Sequence, residues 1–437
     1  LRLRRALVSV ACGIGLALGR RLFNCCLLML GPKSRLPAAI ALLGTILGLV
    51  FAMHSTLDYA EHLDRRLHDV HCSYVPGAPA TAEAESCRAA LYSPYSAVLK
   101  QDYWGGVPIT LFALGAFAFF AGFSLYLAIA ADRAPRMAVI FHAVVALSPS
   151  LVSLYMLYLS AVKLGVVCEI CVGLYVASAL VSLGGLLGLL TLRDSWVGAD
   201  HAATVPRRPR LSPLFPIAWL AVLGFATLLP AVAYASRVPD HTPFLTRCGQ
   251  LKRADADKDQ LLTVVSPRAV RSATLFQDPL CVTCRSLHQR LVQEGLFDRL
   301  SLKIVLFPLD SSCNWMLDRP LHQGACTVSK AVLCGHERAL AVLEWAFDEQ
   351  EYLTRAAARN EATLRAVLQQ RWGPELLQCV DDNRTKDQLN RHLHFASDNN
   401  IPVSTPQMFL GSQRICDEDT DLGLRFTLSK LAPEVLR

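Results

Sequence analysis

The stretch VVCEICVGLYVASALVSLGGLLGLL, Val166–Leu190, sets two cysteines three positions apart at the mouth of a run too apolar for water. A bilayer core takes about 20 apolar residues per helix, and the run read as Val172–Leu192 meets that length. Working outward, Leu36–Met53, Val107–Ala131, Met137–Val162 and Leu214–Ala235 meet or approach it as well. After Ser236 the pattern turns to mixed charged and amphipathic sequence. Of 437 residues 53% are hydrophobic and 18% charged, too apolar for one soluble globule of ordinary usage. The reading is an α-helical membrane part followed by a soluble domain of about two hundred residues, long enough for its own core.

The net charge of +7 raises the question of nucleic acid. Its placement answers it: Lys33 and Arg35 precede the first span, Asp132, Arg133 and Arg136 separate the second from the third, and Arg193, Arg207, Arg208 and Arg210 lie between the fourth and fifth. Short loops rich in Lys and Arg stay on the cytoplasmic side, and the soluble part has no basic stripe with interleaved aromatics. Counting spans from there puts 54–106, the turn 163–171 and everything after Ser236 on the outer face. Cys72 and Cys87, Cys168 and Cys171, and Cys281 and Cys284 thus share one compartment, one in which disulfides persist. Residues 1–35 read as a cytoplasmic or interfacial extension, and Cys12, Cys25 and Cys26 within it receive no role.

The second pair lies in DPLCVTCRSLHQRL, Asp278–Leu291, after β-branched runs at 261–265 and 273–276. A Cys-x-x-Cys where a strand runs into a helix is a redox arrangement. The free N–H groups and dipole of a helix N-terminus favour thiolate on the first sulfur. Cys281 is therefore the attacking thiol and Cys284 the resolving one. Half of a zinc site is the rival reading, but no second Cys-x-x-Cys follows. Cys248, Cys313, Cys326, Cys334, Cys379 and Cys416 read as structural staples, Cys313 with Cys326 being the preferred pair. His288 reads as solvated or capping, and His392–His394 as a helical stretch without ligand partners.

Further on come a strand at 302–307, a helical tract over 325–396, and NNIPVSTPQMFLGSQRIC (399–416), in which Thr405-Pro406 precedes an apolar strand at 408–410. This order resembles the thioredoxin superfamily, and the helical insertion resembles its DsbA-type thiol oxidoreductases. The resemblance implies a cis Pro406 packed against the dithiol and a Thr405 backbone that pairs with a substrate chain. HCSYVPGAPATAEAESCRAALYSP (71–94), the Gly106-Val107-Pro108 approach to the second span and the CEIC pair together resemble the bacterial vitamin K epoxide reductase family over 36–192. That resemblance implies a four-helix bundle with one further linking helix, a quinone (ubiquinone or menaquinone) beside Cys168 and Cys171, and a mobile loop pair Cys72/Cys87. It also implies a hydroxyl from Ser93 near the quinone or the dithiol; a helix cap before Pro94 is the equal alternative. Glu169 departs from the apolar residues many members carry between the paired cysteines.

These expectations divide the chain at 1–35, 36–192, 193–236 and 237–437. They describe a bacterial inner-membrane thiol oxidase with a periplasmic thioredoxin-like domain, acting on reduced exported proteins, without metal or nucleic acid. Electrons would pass from substrate to Cys281/Cys284, to Cys72/Cys87, to Cys168/Cys171 and to quinone by thiol–disulfide exchange. A disulfide reductase or isomerase carrying electrons outward, and a non-enzymatic disulfide-stapled anchor, are the alternatives.

Overall fold

The structure is a computed structural model, and it describes residues 35–63, 90–91, 93–164, 168–197, 212, 214–253 and 262–437. They fall into two compact units: the described residues up to Ser96 with Val107–Arg237, and Ala97–Gly106 with Val238–Arg437.

The first unit is helical. Its helices are α1 (Leu36–Leu63), α2 (Ile109–Ala130), α3 (Arg136–Val145), α4 (Leu147–Tyr158), α5 (Glu169–Val197) and α6 (Leu214–Ala235). With α3, α4 and a π-turn at Leu159–Leu164 forming one broken span, five segments are long and apolar enough to cross a membrane. The break within the third span has a local cause. Pro149 has no N–H to give to the preceding turn, and Ser148 Oγ donates to the Val145 carbonyl at 2.8 Å. Helix α1 packs against α2 and α5, and α4 against α5, while α6 lies on α2 with most of its surface outward. Apolar helices gain little by burial within lipid, so close approach and interhelical hydrogen bonds hold such bundles. A Cβ at Gly184 would stand 2.6 Å from the Ala41 backbone N, so α1 and α5 meet at a distance only glycine allows. Between α4 and α5, Ser150 and Ser182 share a 2.7 Å hydrogen bond and Ser153 donates to Ser178 at 2.9 Å.

The second unit is a five-stranded mixed sheet with helices. Its strands are β1 (Leu262–Val264), β2 (Arg271–Gln277), β3 (Leu300–Leu306), β4 (Gln407–Leu410) and β5 (Gln413–Ile415), in spatial order β1-β3-β2-β4-β5. β2 and β3 are parallel, Leu275 opposite Ile304, and β4 runs antiparallel to β2, Met408 opposite Leu275. Side chains alternate across a strand, so two cores form. Ala273, Leu275, Leu302, Ile304, Met408 and Leu410 face one side; Phe276, Val305, Phe307 and Phe409 face the other. Helix α7 (Val282–Gln293) follows β2. Six helices between β3 and β4, α8 (Ala325–Cys334), α9 (Ala339–Asp348), α10 (Gln350–Arg359), α11 (Glu361–Trp372), α12 (Pro374–Asp381) and α13 (Asn383–Asp398), form the expected insertion, and α14 (Leu424–Leu431) follows β5.

Ala97–Gly106 completes this unit. Trp104 is buried, donates Nε1–H to Asp419 Oδ1 at 2.7 Å and stacks on His241 at 4.7 Å between ring centres. Three disulfides close the unit: Cys248–Cys416, Cys313–Cys326 and Cys334–Cys379. The second is the pair preferred from the sequence.

Candidate functional site

Four described cysteines remain as free thiols, and they are the two Cys-x-x-Cys pairs. Cys281 occupies the N-cap of α7 in extended conformation. Asp278 sets it there. Its Oδ1 accepts from the Leu280 N–H at 2.7 Å and its carbonyl from the Cys281 N–H at 3.1 Å, so the chain turns at Asp278-Pro279 before the first helical bond, Arg285 N to Cys281 O. The two sulfurs differ in surroundings. Cys284 is fully buried and its Sγ accepts from the Asp278 N–H at 3.4 Å. Cys281 Sγ lies 2.9 Å from Thr283 Oγ1 and 3.5 Å from the Thr405 carbonyl. Thr283 Oγ1 also donates to that carbonyl at 3.1 Å.

The Thr405-Pro406 peptide is cis, as the resemblance implied. The Thr405 carbonyl faces the dithiol, 3.5 Å from Cys281 Sγ. The hydrogen bond from the neighbouring Cys284 thiol, above all, together with the Thr283 hydroxyl, holds the Cys281 thiol down at about 5 against the opposing effect of burial. Cys284 moves the other way, pushed up by burial and then by the Cys281 thiolate beside it. Cys281 is therefore the thiolate and Cys284 the protonated partner, the order the helix N-terminus implied.

Two site residues are not evident from the sequence motif. Asp278 is fully buried, and its Oδ2 accepts from the Leu309 N–H at 2.7 Å and pairs with His322 Nδ1 at 2.8 Å. His322 stands 44 residues away in the chain, and that separation hides it from any local pattern. The hydrogen bond to Asp278 raises its pKa above the ordinary histidine value.

His288 departs from the expectation of a solvated or capping residue. It is 5% exposed, packs on Phe297 and Phe347, and faces Glu344 with Nε2 3.4 Å from the carboxylate. Burial brings it down to about 4, so it is neutral. His392 is likewise buried, its Nδ1 accepting from the Leu306 N–H at 3.0 Å, a structural acceptor that serves β3. Cys248, Cys416 and Glu418 gather within 4.8 Å, but the two sulfurs are bonded to each other and offer no thiolate to a metal.

In the first unit Cys168 is buried at the opening of α5, its carbonyl accepting from the Val172 N–H at 3.0 Å. Cys171, half-buried, is already inside the helix, and Tyr175 follows one turn on. A Cβ at Gly173 would come 2.7 Å from the Phe51 ring, so α1 presses on α5 beside the pair. Ser93 is buried in a turn, its Oγ accepting from the Tyr95 N–H at 3.3 Å and its carbonyl from Ser96 Oγ at 2.8 Å. Cys72 and Cys87, with Cys12, Cys25 and Cys26, lie outside the described residues.

Residues 39–183 match the Vitamin K epoxide reductase family. Similar solved structures include a thioredoxin-like oxidoreductase from Silicibacter pomeroyi DSS-3, at 14% identity and a TM-score of 0.26, covering 37% of this chain and 88% of that one. Proteus mirabilis ScsC in a transitional conformation gives 14% and 0.29, covering 51% and 100%. MdbA, a thiol-disulfide oxidoreductase from Corynebacterium matruchotii, gives 14% and 0.25, covering 40% and 90%. No curated protein matches the chain. The family match and the paired thiols support a disulfide-bond redox function, and the five apolar helices are consistent with a multi-pass membrane protein.

Proposed function

We propose that the chain is a quinone-dependent thiol oxidase of a bacterial inner membrane, which makes disulfides in exported proteins through its own thioredoxin-like domain on the periplasmic side. The observation that carries this reading is the division of the described cysteines. Six are closed into three disulfides, and four stand as two Cys-x-x-Cys pairs, each at the opening of a helix, one of those helices apolar enough to cross a membrane.

The Cys281–Cys284 disulfide accepts two electrons from a substrate dithiol: a substrate thiolate attacks Cys281, Cys284 leaves, and the substrate's second thiolate releases Cys281 as the substrate disulfide closes. Cys281 leaves readily because its thiolate is stabilised. The reduced pair then exchanges with Cys72–Cys87, and that pair with Cys168–Cys171, each step passing two electrons and its thiol protons onward. Pro406 holds the Thr405 carbonyl against Cys281, and Ser93 shapes the turn leading to the second span. At the end of the relay the residues fit an apolar carrier with polar carbonyls: the half-buried Cys171 thiol and the Tyr175 phenol share the start of an apolar helix. A quinone bound there would supply the two-electron acceptor. In this reading 36–192 form the membrane oxidase, 193–236 link it outward and 237–437 meet the substrates.

Cys168→Ser or Cys171→Ser in membranes tests it. The Cys281/Cys284 pair is expected to accumulate reduced, read by thiol alkylation and mass shift. A pair still fully oxidised would refute the relay, and a pair reduced even in the unaltered chain would favour outward electron flow.

A further inference from the structure

The dithiol of the second unit has a buried carboxylate beside it, which needs a counter-charge. Asp278 is fully buried, its own N–H rests on Cys284 Sγ at 3.4 Å, and it lies three residues before Cys281. A carboxylate so placed would oppose negative charge on the dithiol beside it. Two backbone N–H groups, of Leu280 and Leu309, satisfy its oxygens but carry no net charge. Among the described residues His322 is the group placed to carry one when protonated, with Nδ1 2.8 Å from Asp278 Oδ2.

Its loop is fixed from both sides. The Cys313–Cys326 disulfide closes the segment around it, and Asp310 ties both ends, Oδ1 accepting from the Ser312 N–H and Oδ2 from the Gly324 N–H at 2.8 Å. The dipeptide inside the active-site pair, Val282-Thr283, has no cation to offer. We propose that His322 is a positioning residue of the redox dithiol: as an imidazolium paired to Asp278 it neutralises the buried carboxylate and so permits the thiolate on Cys281.

Among the described residues the titratable groups facing His322 are Asp278 and Cys281; Cys284 faces Cys281 on α7, and Thr283 and Thr405 face it with neutral oxygens. Asp278, and to a smaller degree Cys281, raise the His322 pKa, so each charge favours the other. The proposal rests on the redox reading only in taking Cys281 as the attacking thiol.

The test is the pH profile of Cys281 alkylation by iodoacetamide in the full chain, purified in detergent after mild reduction and quantified on the Cys281 peptide by mass spectrometry. His322→Gln is expected to raise the midpoint by about half a unit or more, with about two-fold less alkylation near pH 5. Asp278→Asn/His322→Gln removes the carboxylate together with the cation and is expected to restore the original midpoint, a rescue that a merely structural role would not give. His322→Lys keeps the charge and is expected to keep the midpoint. A His322→Gln midpoint equal to the unaltered one, a double variant that stays raised, or a raised midpoint in His322→Lys would each overturn the proposal. An unaltered chain whose Cys281 titrates as an ordinary thiol would instead refute the redox reading of the pair.

Discussion

The Thr283 hydroxyl sits between two acceptors, Cys281 Sγ at 2.9 Å and the Thr405 carbonyl at 3.1 Å, and it has one proton to give. With Cys281 a thiolate, that proton serves the sulfur; in the disulfide it serves the carbonyl. Thr283→Val keeps the shape and removes the choice. A hydrogen bond to a charged group is worth about 1.5–3 kcal/mol and a neutral one about 0.5–1.5, so the change costs the thiolate about 1.3 kcal/mol more than it costs the thiol or the disulfide. That is about one pKa unit. The Cys281 midpoint, at about 5, rises to near 6. At pH 7 the thiolate stays the main form, but near pH 5.5 alkylation of Cys281 falls about three-fold. The potential moves too. Lowering a thiol from near 9 to about 5 stabilises the reduced form at pH 7 by about 2.7 kcal/mol, or about 60 mV; Thr283→Val returns about half of that, making the pair about 30 mV more reducing. Alkylation of the Cys281 peptide across pH and equilibration with glutathione read the two effects. An unmoved midpoint in Thr283→Val, or an equal rise in Thr283→Ser, which keeps the hydroxyl, would refute the hydroxyl's part.

Removing the Cys248–Cys416 disulfide, which spans 168 residues, is expected to cost the second unit about 5 kcal/mol through the entropy of its unfolded chain, seen as a lower urea midpoint for protease resistance of 238–437. Trp104→Phe leaves the buried Asp419 carboxylate without the indole N–H, a loss of about 1–3 kcal/mol; amide exchange over 97–106 is expected to quicken about ten-fold or more. Leu275→Ala in the central strand, at 0% exposure, is expected to destabilise the second unit by about 2–5 kcal/mol in the same urea assay. For the His322–Asp278 pair the sign is set by a raised histidine: its contribution to stability is fully present below about pH 6.5 and is lost as pH rises through the folded value above it. Thermal midpoints of the unaltered chain and His322→Gln should therefore converge at alkaline pH.

Where function sits on contiguous residues, the sequence was readable. The five spans follow from hydropathy alone, and the strand-to-helix setting of Cys281 from β-branched residues and the cysteine spacing. The third span's break was carried by Pro149 but masked by the apolar run around it. β5 is three residues, Gln413–Ile415, with a polar pair that no alternation marks; it exists because β4 offers an edge and Gly411, at φ 59°, can make the turn. Ala97–Gly106 looks like any outer loop, yet Trp104 folds into the second unit because a partner 315 residues onward, Asp419, is there to take its N–H. His322 escaped for the same reason. Its partner is set by tertiary packing, and only the Cys313–Cys326 spacing hinted that this loop was fixed at all.

The two dithiols are not copies of one another. In the second unit both cysteines are buried, the second completely, Cys284 at 0% exposure against 5% for Cys281, so the first is the nearer to an incoming thiol. In the first unit the order is reversed: Cys168 is buried at the helix mouth and the half-buried Cys171 lies within an apolar helix. A polypeptide substrate, whose backbone polar groups resist an apolar surface, suits the first arrangement and not the second. In the proposed reading the half-buried Cys171 is the sulfur that meets a lipid-soluble partner, and Cys168 the one that exchanges with the loop pair. In the proposed relay that difference is what gives Cys72 and Cys87 their task, carrying electrons from one dithiol to the other.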